Sequence, residues 1–292
     1  MNPIPPQAVL TATGFVNTWE CDENDHLNVQ FYARAFEHAF EVAAVRHGGT
    51  PGAQRLPGFV RHVRYHSELR VSRRISVHSA RIADGPHAGK ALHLLMDVDQ
   101  GVLSATALDS GFAPQALPLP EVEAGWADPA VPRGLPPGPD PTGDMTAFLE
   151  RGAAVIGNLG IIGRAETDAE GRILLQAIVS RFSDSAAHVW GHAGIGEEWL
   201  TRHKHGRVAV EMKLTMLGDA GPGSALRMVS RIDDVQERTF AILHQLEHVS
   251  DGAVVATGSV RALVMDLQKR RASPLPAEIR EISARNGAKG AG

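Results

Sequence analysis

The stretch Trp19-Glu-Cys-Asp-Glu-Asn-Asp-His-Leu-Asn-Val-Gln-Phe-Tyr32 leads from a strand into a helix, and it decides the fold prediction. Residues 10–20 indicate a strand that enters a turn over 22–26, because Asp and Asn favour turns. Asn28 can cap the first backbone N–H groups of a helix, and the Gly pair at 48–49 can end it. Between these ends, apolar side chains recur at helical spacing, at Tyr32, Phe36, Ala39, Phe40 and Ala43. One amphipathic helix that packs on a sheet is therefore predicted.

Further strands are expected after the helix and again in the second half. Apolar-rich runs separated by Gly, Asp or Pro predict antiparallel strands over residues 59–70, 74–84, 90–99 and 101–112. The second half predicts strands near residues 172–182, 207–217, 223–233, 238–248 and 253–266. Its helix is expected within residues 185–205, shortened or broken by Gly191, Gly194 and Gly196.

The two halves share a pattern that indicates an internal duplication. A set of residues in the first half recurs in the second at a constant offset of 151, with His93, Gly101, Ala105 and Thr106 matched by His244, Gly252, Ala256 and Thr257. In each half a turn at Gly separates two apolar runs, which is the pattern of a β-hairpin. A second match joins Asp22 and His26 to Asp184 and His188 at an offset of 162, so insertions would have to lie between the two matches.

A proline-rich segment divides the chain. Nine of the 18 prolines lie between Pro114 and Pro141, where the backbone cannot sustain a helix or a central strand. We therefore expect a first domain, a Pro-rich linker, a second degenerate domain and a flexible tail, over residues 1–115, 116–144, 145–268 and 269–292. A central helix wrapped by a long antiparallel sheet, made twice and joined edge to edge, is an α+β fold.

Composition excludes several classes of protein. The chain has 292 residues, of which 43% are hydrophobic and 21% charged, as in ordinary globular proteins. Its formal charge of -4 gives no global attraction to nucleic acid or to an anionic membrane. The single cysteine, Cys21, cannot form an internal disulfide, and neither a signal peptide nor an apolar run of about 18 residues is found. We expect a cytoplasmic protein without nucleic acid or membrane as partner.

The quoted stretch resembles the start of the central helix in hot-dog-fold acyl-CoA thioesterases of the hydroxybenzoyl-CoA thioesterase type. That family has an Asp, a His four residues later, a hydrophobic residue, an Asn and an aromatic residue, which correspond to Asp22, His26, Leu27, Asn28 and Tyr32. The sequence Phe36-Glu37-His38-Ala39 resembles the Phe-Glu-Glu-Ala that often follows. Asp25 and Val29 depart from the Gly and the second Asn of the pattern. The resemblance implies a double hot-dog and hydrolysis of an acyl-CoA or acyl-carrier-protein thioester.

The resemblance also implies roles for individual residues. Asp22 would be the catalytic carboxylate, and the Val29 N–H would bind the thioester oxygen. Hydrolysis needs an oxygen nucleophile and a donor for the oxygen that becomes negative, so Asp22 would either attack the carbonyl carbon or take a proton from water. Asn24, His26 and Asn28 would orient the carboxylate or the water. The competing interpretation is a carboxylate that only stabilises a turn.

Other candidate residues follow with alternatives attached. Asp184 and His188 form a candidate second site, although Trp190 stands where the helix-starting Asn is expected and decay of this copy is the alternative. Arginines that could bind coenzyme A phosphates are Arg61, Arg64, Arg73 and Arg74, unless they only protect strand edges. Glu68 is a candidate helper or a surface residue. His188 and His192 lack the Glu of a His-Glu-x-x-His site, so no metal is expected. A cofactor is not expected either.

Two rival functions stay open. Hot-dog enoyl-CoA hydratases and dehydratases have an Asp and a His five residues apart, whereas Asp22 and His26 are four apart and the Pro of that motif is missing. A non-catalytic acyl-CoA-binding or scaffold protein would use the carboxylate as a cap only. The acyl group, the carrier and the assembly are not specified by the sequence, and a homodimer of double hot-dogs is one expectation.

Overall fold

The computed structural model describes residues 3–277 and 279–281, and the elements below refer to these residues. In chain order they are β1 (Val9–Phe15), α1 (Val29–Arg46), β2 (Val60–Tyr65), β3 (Arg74–Ile82), β4 (Ala91–Asp97), β5 (Val102–Ser110), β6 (Glu121–Val122), α2 (Met145–Glu150), β7 (Val155–Ile161), α3 (Leu175–His192), α4 (Glu197–His203), β8 (His205–Met216), β9 (Ala225–Asp233), β10 (Thr239–His248), β11 (Val254–Asp266) and β12 (Arg271–Ala272).

Ten strands form one continuous antiparallel sheet in the order β1-β3-β4-β5-β2-β8-β11-β10-β9-β7. The first five strands come from the first half, and the last five repeat the same order in reverse from the second half. The halves join where β2 pairs with β8, with Val60 opposite Thr215 and Arg64 opposite Glu211. The expected edge-to-edge duplication is therefore confirmed, and the two predicted sheets are halves of a single one.

The repeat at an offset of 151 is also found in three dimensions. Ser79 pairs with His93 across β3 and β4, and Ser230 pairs with His244 across β9 and β10. The hairpin turns that follow contain Gly101 and Gly252 at φ values of 67° and 75°. Both glycines therefore adopt the left-handed conformation that other residues avoid.

Helix α1 has the bounds that the sequence predicts. The Asn28 side chain accepts a hydrogen bond from the Gln30 N–H at 3.1 Å and caps the helix. Phe36, Phe40 and Ala43 are fully buried, so the apolar stripe faces the sheet. Helices α1 and α3, one from each half of the chain, also pack against each other.

Two predictions for the second half are wrong. The residues predicted as a strand over 172–182 belong largely to α3, where Leu175, Ile178 and Phe182 recur at helical spacing and are buried. The helix is continuous over 18 residues, and Gly194 and Gly196 separate it from α4 rather than breaking it. The edge strand β7 was not predicted.

The proline-rich segment, residues 116–144, is ordered and crosses the face of the sheet opposite to α1; we call it the strap, and this face the outer face. Backbone N–H groups of Arg133, Gly134 and Leu135 donate to the buried Glu211 carboxylate at 3.1, 2.7 and 3.2 Å. His62 on β2 contacts the same carboxylate at 2.6 Å, so Glu211 links the strap to the strands where the two halves join.

The segment expected to be a flexible tail packs on the second half where it is described. Strand β12 pairs with the end of β11, and Leu275 and Ile279 are buried in the core. Residues 282–292 lie outside the described residues. In the described part of the chain, helices with the length and apolar character needed to cross a bilayer are not found.

Candidate active site

The loop before α1 folds around the carboxylate of Asp22. Its Oδ1 accepts hydrogen bonds from the backbone N–H groups of Asn24 and His26 at 2.9 and 3.1 Å. The Asp22 N–H donates to the His26 carbonyl at 2.8 Å, and Asp25 adopts a positive φ of 59° to close the turn. These bonds hold one oxygen, while Oδ2 has no hydrogen-bond partner among the described residues. The half-buried carboxylate is thus fixed in place with one oxygen free.

The first turn of α1 lies beside this carboxylate. The Val29 N–H is the first in the helix and has no intrahelical acceptor, so it can donate to an oxygen that carries negative charge. The Asn28 amide oxygen, which caps the helix, also accepts a hydrogen bond from the Ser183 hydroxyl of α3 at 2.9 Å. The second half of the chain therefore contributes directly to this helix N-terminus.

Two cavities meet at Asp22 and Val29. One is a cleft of about 630 Å³ with many polar and charged side chains, which opens between the two halves. The other is a smaller pocket of about 240 Å³, which continues into the second half beside α3. Its far wall is apolar apart from one histidine, with Phe182, Ala186, Trp190, Met212, Ile242, His244, Val260 and Ala262. Asp22 and Val29 line both cavities, together with Arg207, Val208 and Ala209 of β8.

His26 and Glu68 lie at the polar cleft. His26 Nε2 is 3.2 Å from a carboxylate oxygen of Glu68, which also pairs with Arg270 from the second half at 2.9 Å. Asn24 lines neither cavity and contributes its backbone N–H to Asp22 instead. Burial, followed by the charges of two nearby arginines, lowers the pKa of His66 in the cleft to about 4, so this imidazole is neutral at neutral pH.

Cys21 precedes the carboxylate in the chain. Burial and then the charge of Asp22 raise the pKa of its thiol. This environment opposes formation of a thiolate nucleophile. No group of three or more His, Cys, Asp or Glu side chains that could hold a metal is found in the ranges that the structure describes.

Only one of the four predicted phosphate-binding arginines lines the cleft. Arg73 does so, whereas Arg74 is 67% exposed and pairs with Asp99 outside it. Arg61 is buried against Asp109, and Arg64 donates to the Pro129 carbonyl of the strap on the outer face of the sheet. The structure therefore holds Arg61, Arg64 and Arg74 outside the cleft, through partners distant in sequence.

Three further arginines line the cleft. Arg70 lies in the loop between β2 and β3, while Arg207 and Arg270 come from the second half. Arg207 pairs with Glu23 at 2.5 Å, and Arg270 with Glu68, so each joins the two halves across the cleft. Sequence separations near 200 residues leave no local signal for these contacts.

Asp184 and His188, the candidate second site, are exposed on the middle of α3 and do not precede a helix. The duplication relates β1 to β7 and α1 to α3 at an offset of 146, which makes Asp168 the counterpart of Asp22. Asp168 Oδ1 accepts the N–H groups of Glu170 and Arg172 in the same kind of turn. The residue equivalent to Asp22 is therefore Asp168 and not the expected Asp184.

The site at Asp168 is blocked by charged side chains. Asp168 Oδ2 is bound by Arg172 at 3.0 Å and by Arg55 at 3.3 Å, so neither oxygen is free. The Glu37 carboxylate accepts the N–H groups of Leu175 and Gln176, both at 3.1 Å, at the N-terminus of α3. The groups that are open at Asp22 are thus occupied here by the protein's own side chains.

Among the described residues of the first half, a charged pair lies where the apolar pocket would be expected. Met212 lies opposite Val260 across β8 and β11, and both line the pocket. At the equivalent positions across β2 and β5, Arg61 lies opposite Asp109, and the two form a buried ion pair. Charged side chains therefore fill the space that is empty in the second half.

Residues 165–282 match the family described as the thioesterase-like superfamily. The match lies in the second half, which supplies the walls of the apolar pocket, whereas the Asp22 turn lies in the first half. A search of curated protein sequences finds no match to this chain.

Solved structures of double-length thioesterases are similar over 88% of this chain. They include a putative oleoyl thioesterase from Lactobacillus plantarum (11% identity, 97% of that chain, TM-score 0.57) and the 12:0-ACP thioesterase from Umbellularia californica (12%, 94%, 0.55). An acyl-ACP thioesterase from Bacteroides thetaiotaomicron is similar as well (10%, 98%, 0.53). At these identities the likeness concerns the fold, and the predicted double hot-dog is confirmed.

Proposed function

We propose that this double hot-dog protein, which carries a thioesterase-like domain over residues 165–282, hydrolyses an acyl thioester at a single site beside Asp22. Thioester hydrolysis is the activity that the family match supports. The observation that carries the placement is that Asp22 and Val29 line both the polar cleft and the apolar pocket. A thioester has an apolar acyl group on one side of its reacting carbon and a polar carrier arm on the other. The reacting carbon would therefore lie where the two cavities meet.

The free oxygen of Asp22 supplies the base or the nucleophile. As a base, it takes a proton from water while the water oxygen bonds to the carbonyl carbon, and the carbon–sulfur bond then breaks to release a thiolate. As a nucleophile, it attacks the carbonyl carbon, and the carbon–sulfur bond breaks to release the thiolate and leave an anhydride between Asp22 and the acyl group, which water then cleaves. In both routes the Val29 N–H donates to the oxygen that becomes negative. Both routes end in the free acid and the thiol.

The neighbouring side chains hold this arrangement. Asn28 caps the helix that presents the Val29 N–H, and the backbone of Asn24 and His26 fixes the Asp22 carboxylate. His26 faces Glu68 in the cleft, and in this proposal it orients water. These three residues act through Asp22, water or the helix rather than on the thioester itself.

Four arginines in the polar cleft suit a carrier that contains phosphate. Guanidinium groups bind phosphate through paired hydrogen bonds. Arg70, Arg73, Arg207 and Arg270 all line the cleft. Coenzyme A and an acyl carrier protein both present phosphate next to the pantetheine arm, so either carrier agrees with this set.

The test is a panel of acyl-CoA thioesters with free thiol as the readout. We expect thiol release by the wild-type chain and a loss of about 10²–10⁴-fold in kcat for Asp22→Asn. Asp184→Asn is the matched control, because it makes the same change at an exposed carboxylate and should keep most of the activity. Full activity in a folded Asp22→Asn variant would overturn the site.

The same panel separates the rival functions. A hydratase would add water to an enoyl-CoA without releasing thiol, and a scaffold or acyl-CoA-binding protein would do neither. The proposed homodimer of double hot-dogs is checked by light scattering after size-exclusion chromatography, and the proposed cytoplasmic location by cell fractionation.

A further inference from the structure

One polar side chain lies in the wall of the apolar pocket. His244 on β10 is 4% exposed, and its ring stacks on Phe182 with centroids 4.4 Å apart and an angle of 8° between the planes. Its neighbours in the pocket wall include Trp190, Ile242 and Val260. A histidine among such groups loses its hydration, so its two ring nitrogens require other partners.

One of these nitrogens is paired and the other is not. Nδ1 lies 2.7 Å from the Ser230 hydroxyl, whereas Nε2 has no hydrogen-bond partner among the described residues. Burial lowers the pKa of His244 to about 3, so the ring is neutral at physiological pH. In a neutral imidazole one nitrogen donates and the other accepts, and therefore Nε2 can form one hydrogen bond.

The equivalent histidine in the first half shows what is missing. His93 contacts Ser79 through Nδ1 at 2.7 Å, and its Nε2 lies 3.3 Å from the Asp109 carboxylate. Val260 occupies the position of Asp109 in the second half, so the carboxylate that faces Nε2 is replaced by a side chain that cannot form a hydrogen bond. The Ser-His pair is thus present in both halves, but the copy in the second half lines a pocket and has an apolar side chain in place of the carboxylate.

We propose that the pocket takes an acyl group that carries a hydroxyl, and that His244 Nε2 recognises this hydroxyl. The inference rests on the proposed thioesterase function and names the substrate class for the same site. A hydroxyl both donates and accepts, so it satisfies Nε2 in either tautomer of the ring. A plain alkyl or aryl chain would leave the buried nitrogen unpaired, at a cost in binding free energy.

The remainder of the pocket agrees with a mainly apolar substrate. A cavity of about 240 Å³ has room for a short or medium acyl group. Phe182 and Trp190 present aromatic surface to this space. The substrate class is therefore a short or medium acyl group with one hydroxyl, which can be aliphatic or aromatic.

The test compares thioesters that differ by one hydroxyl. Octanoyl-CoA is assayed against hydroxyoctanoyl-CoAs with the hydroxyl at successive positions, and benzoyl-CoA against its hydroxylated forms. We expect at least one hydroxylated member to exceed its parent in kcat/KM by about ten- to a hundredfold. In His244→Phe, which keeps an aromatic ring against Phe182, this ratio should fall to about one.

Three further variants keep the test decisive. His248→Phe is the matched control, since His248 is on the same strand but contacts the Asp219 carbonyl outside the pocket, and it should keep the preference. The double variant His244→Phe/Ser230→Ala leaves no unpaired hydroxyl at Ser230, so it covers the outcome in which His244→Phe folds poorly. His244→Gln retains a hydrogen-bonding group and should keep part of the preference.

Binding to the Asp22→Asn variant gives a readout that is independent of turnover. Calorimetry with the same thioester pairs should show tighter binding of the hydroxylated member. Cleavage that depends on Asp22 but shows no preference for a hydroxyl overturns this inference and leaves the thioesterase function intact. A preference that survives in His244→Phe also overturns it, while failure to release thiol from any thioester overturns the function itself.

Discussion

Glu37 and Ser183 hold the same position on α1 and α3, ninth in each helix, and each reaches the first turn of the opposite helix. The longer carboxylate of Glu37 covers the N-terminus of α3, whereas the short hydroxyl of Ser183 touches Asn28 and leaves the Val29 N–H uncovered. This one difference in length and charge leaves one helix N-terminus open and closes the other.

Glu37 covers the N-terminus of α3, and Glu37→Gln tests whether this role is only structural. We expect the free energy of unfolding to fall by about 2 kcal/mol, because the buried pair with Arg55 and part of the cap on α3 are lost. The kcat of the folded variant should be unchanged, since Glu37 does not line the cavities at Asp22. Urea unfolding and thiol release measure the two effects. Glu170→Gln changes an exposed carboxylate of the same cluster and is the control; it should change the free energy of unfolding by about 0.5 kcal/mol or less. A loss of kcat in folded Glu37→Gln would indicate that the active site lies at the N-terminus of α3 instead.

Arginine side chains in the cleft should affect the carrier rather than the chemical step. Arg207→Ala is expected to raise KM for an acyl-CoA by about tenfold, because a partly buried guanidinium next to phosphate is lost. With acyl-pantetheine, which has no phosphate, KM should hardly change. Arg74→Ala removes an exposed arginine outside the cleft and serves as the control. Equal effects of Arg207→Ala on both substrates would contradict phosphate binding by this residue.

The pocket depends on a glycine that makes room for Phe182. A Cβ added at Gly258 would lie 2.3 Å from Cζ of Phe182, so Gly258→Ala has to displace the ring. We expect a loss of about 1–3 kcal/mol in stability and slower cleavage of the larger acyl groups. Gly160→Ala, at a strand glycine with open space around it, is the control and should leave both properties nearly unchanged. Thermal unfolding measures the stability, and the acyl-CoA panel measures the cleavage rates. A Gly258→Ala variant with wild-type stability and wild-type rates would show that the Phe182 ring is free to move.

The strap should make stability depend on pH in the acid range. Burial opposes ionisation of Glu211, but the hydrogen bonds from His62 and from the strap outweigh it and hold the pKa of Glu211 below its usual 4.5. Such a carboxylate stabilises the fold above its unfolded pKa, and this contribution is lost as the pH falls through the lower, folded value. Urea titrations from pH 7 down to about pH 3 should therefore show a decline that begins near pH 4.5.

Glu211→Gln isolates that contribution. The variant should be less stable than the wild type at neutral pH and should decline less steeply in acid, since it has no proton to gain at this position. Glu121→Gln changes a carboxylate that is 55% exposed and should keep the wild-type pH profile. Parallel profiles for Glu211→Gln and the wild type would exclude Glu211 as a source of the acid sensitivity.

The features that the sequence predicts well are local. The Asp22 turn, the Asn28 cap and the apolar stripe of α1 each depend on residues within about one helix length. The repeat at His93 and His244 was detectable because the hairpins on both sides kept their lengths. Local hydrogen bonding and periodicity were therefore sufficient for the central helix and for the open site.

The errors arise where the two halves have diverged. Asp168 keeps the turn of Asp22 but is followed by Arg172 and Leu174 instead of a His and an Asn, and the Asp-to-His spacing of four residues recurs at Asp184 instead. The apolar start of α3 has no capping side chain from its own segment, since Glu37 of the other half caps it. Without that local signal, its apolar run has the pattern of a strand. Contacts between distant segments replaced the local signals on which the prediction depended.

The strap that joins the two halves also explains how such divergence is allowed. An assembly of two identical subunits must carry every substitution twice, so a glutamate that seals one helix would seal both. A single polypeptide that contains both copies is free of this rule, because each copy mutates alone. In the function proposed above, the site at Asp22 keeps the chemistry, while the Arg61–Asp109 and Glu37–Arg55 ion pairs fill the equivalent site.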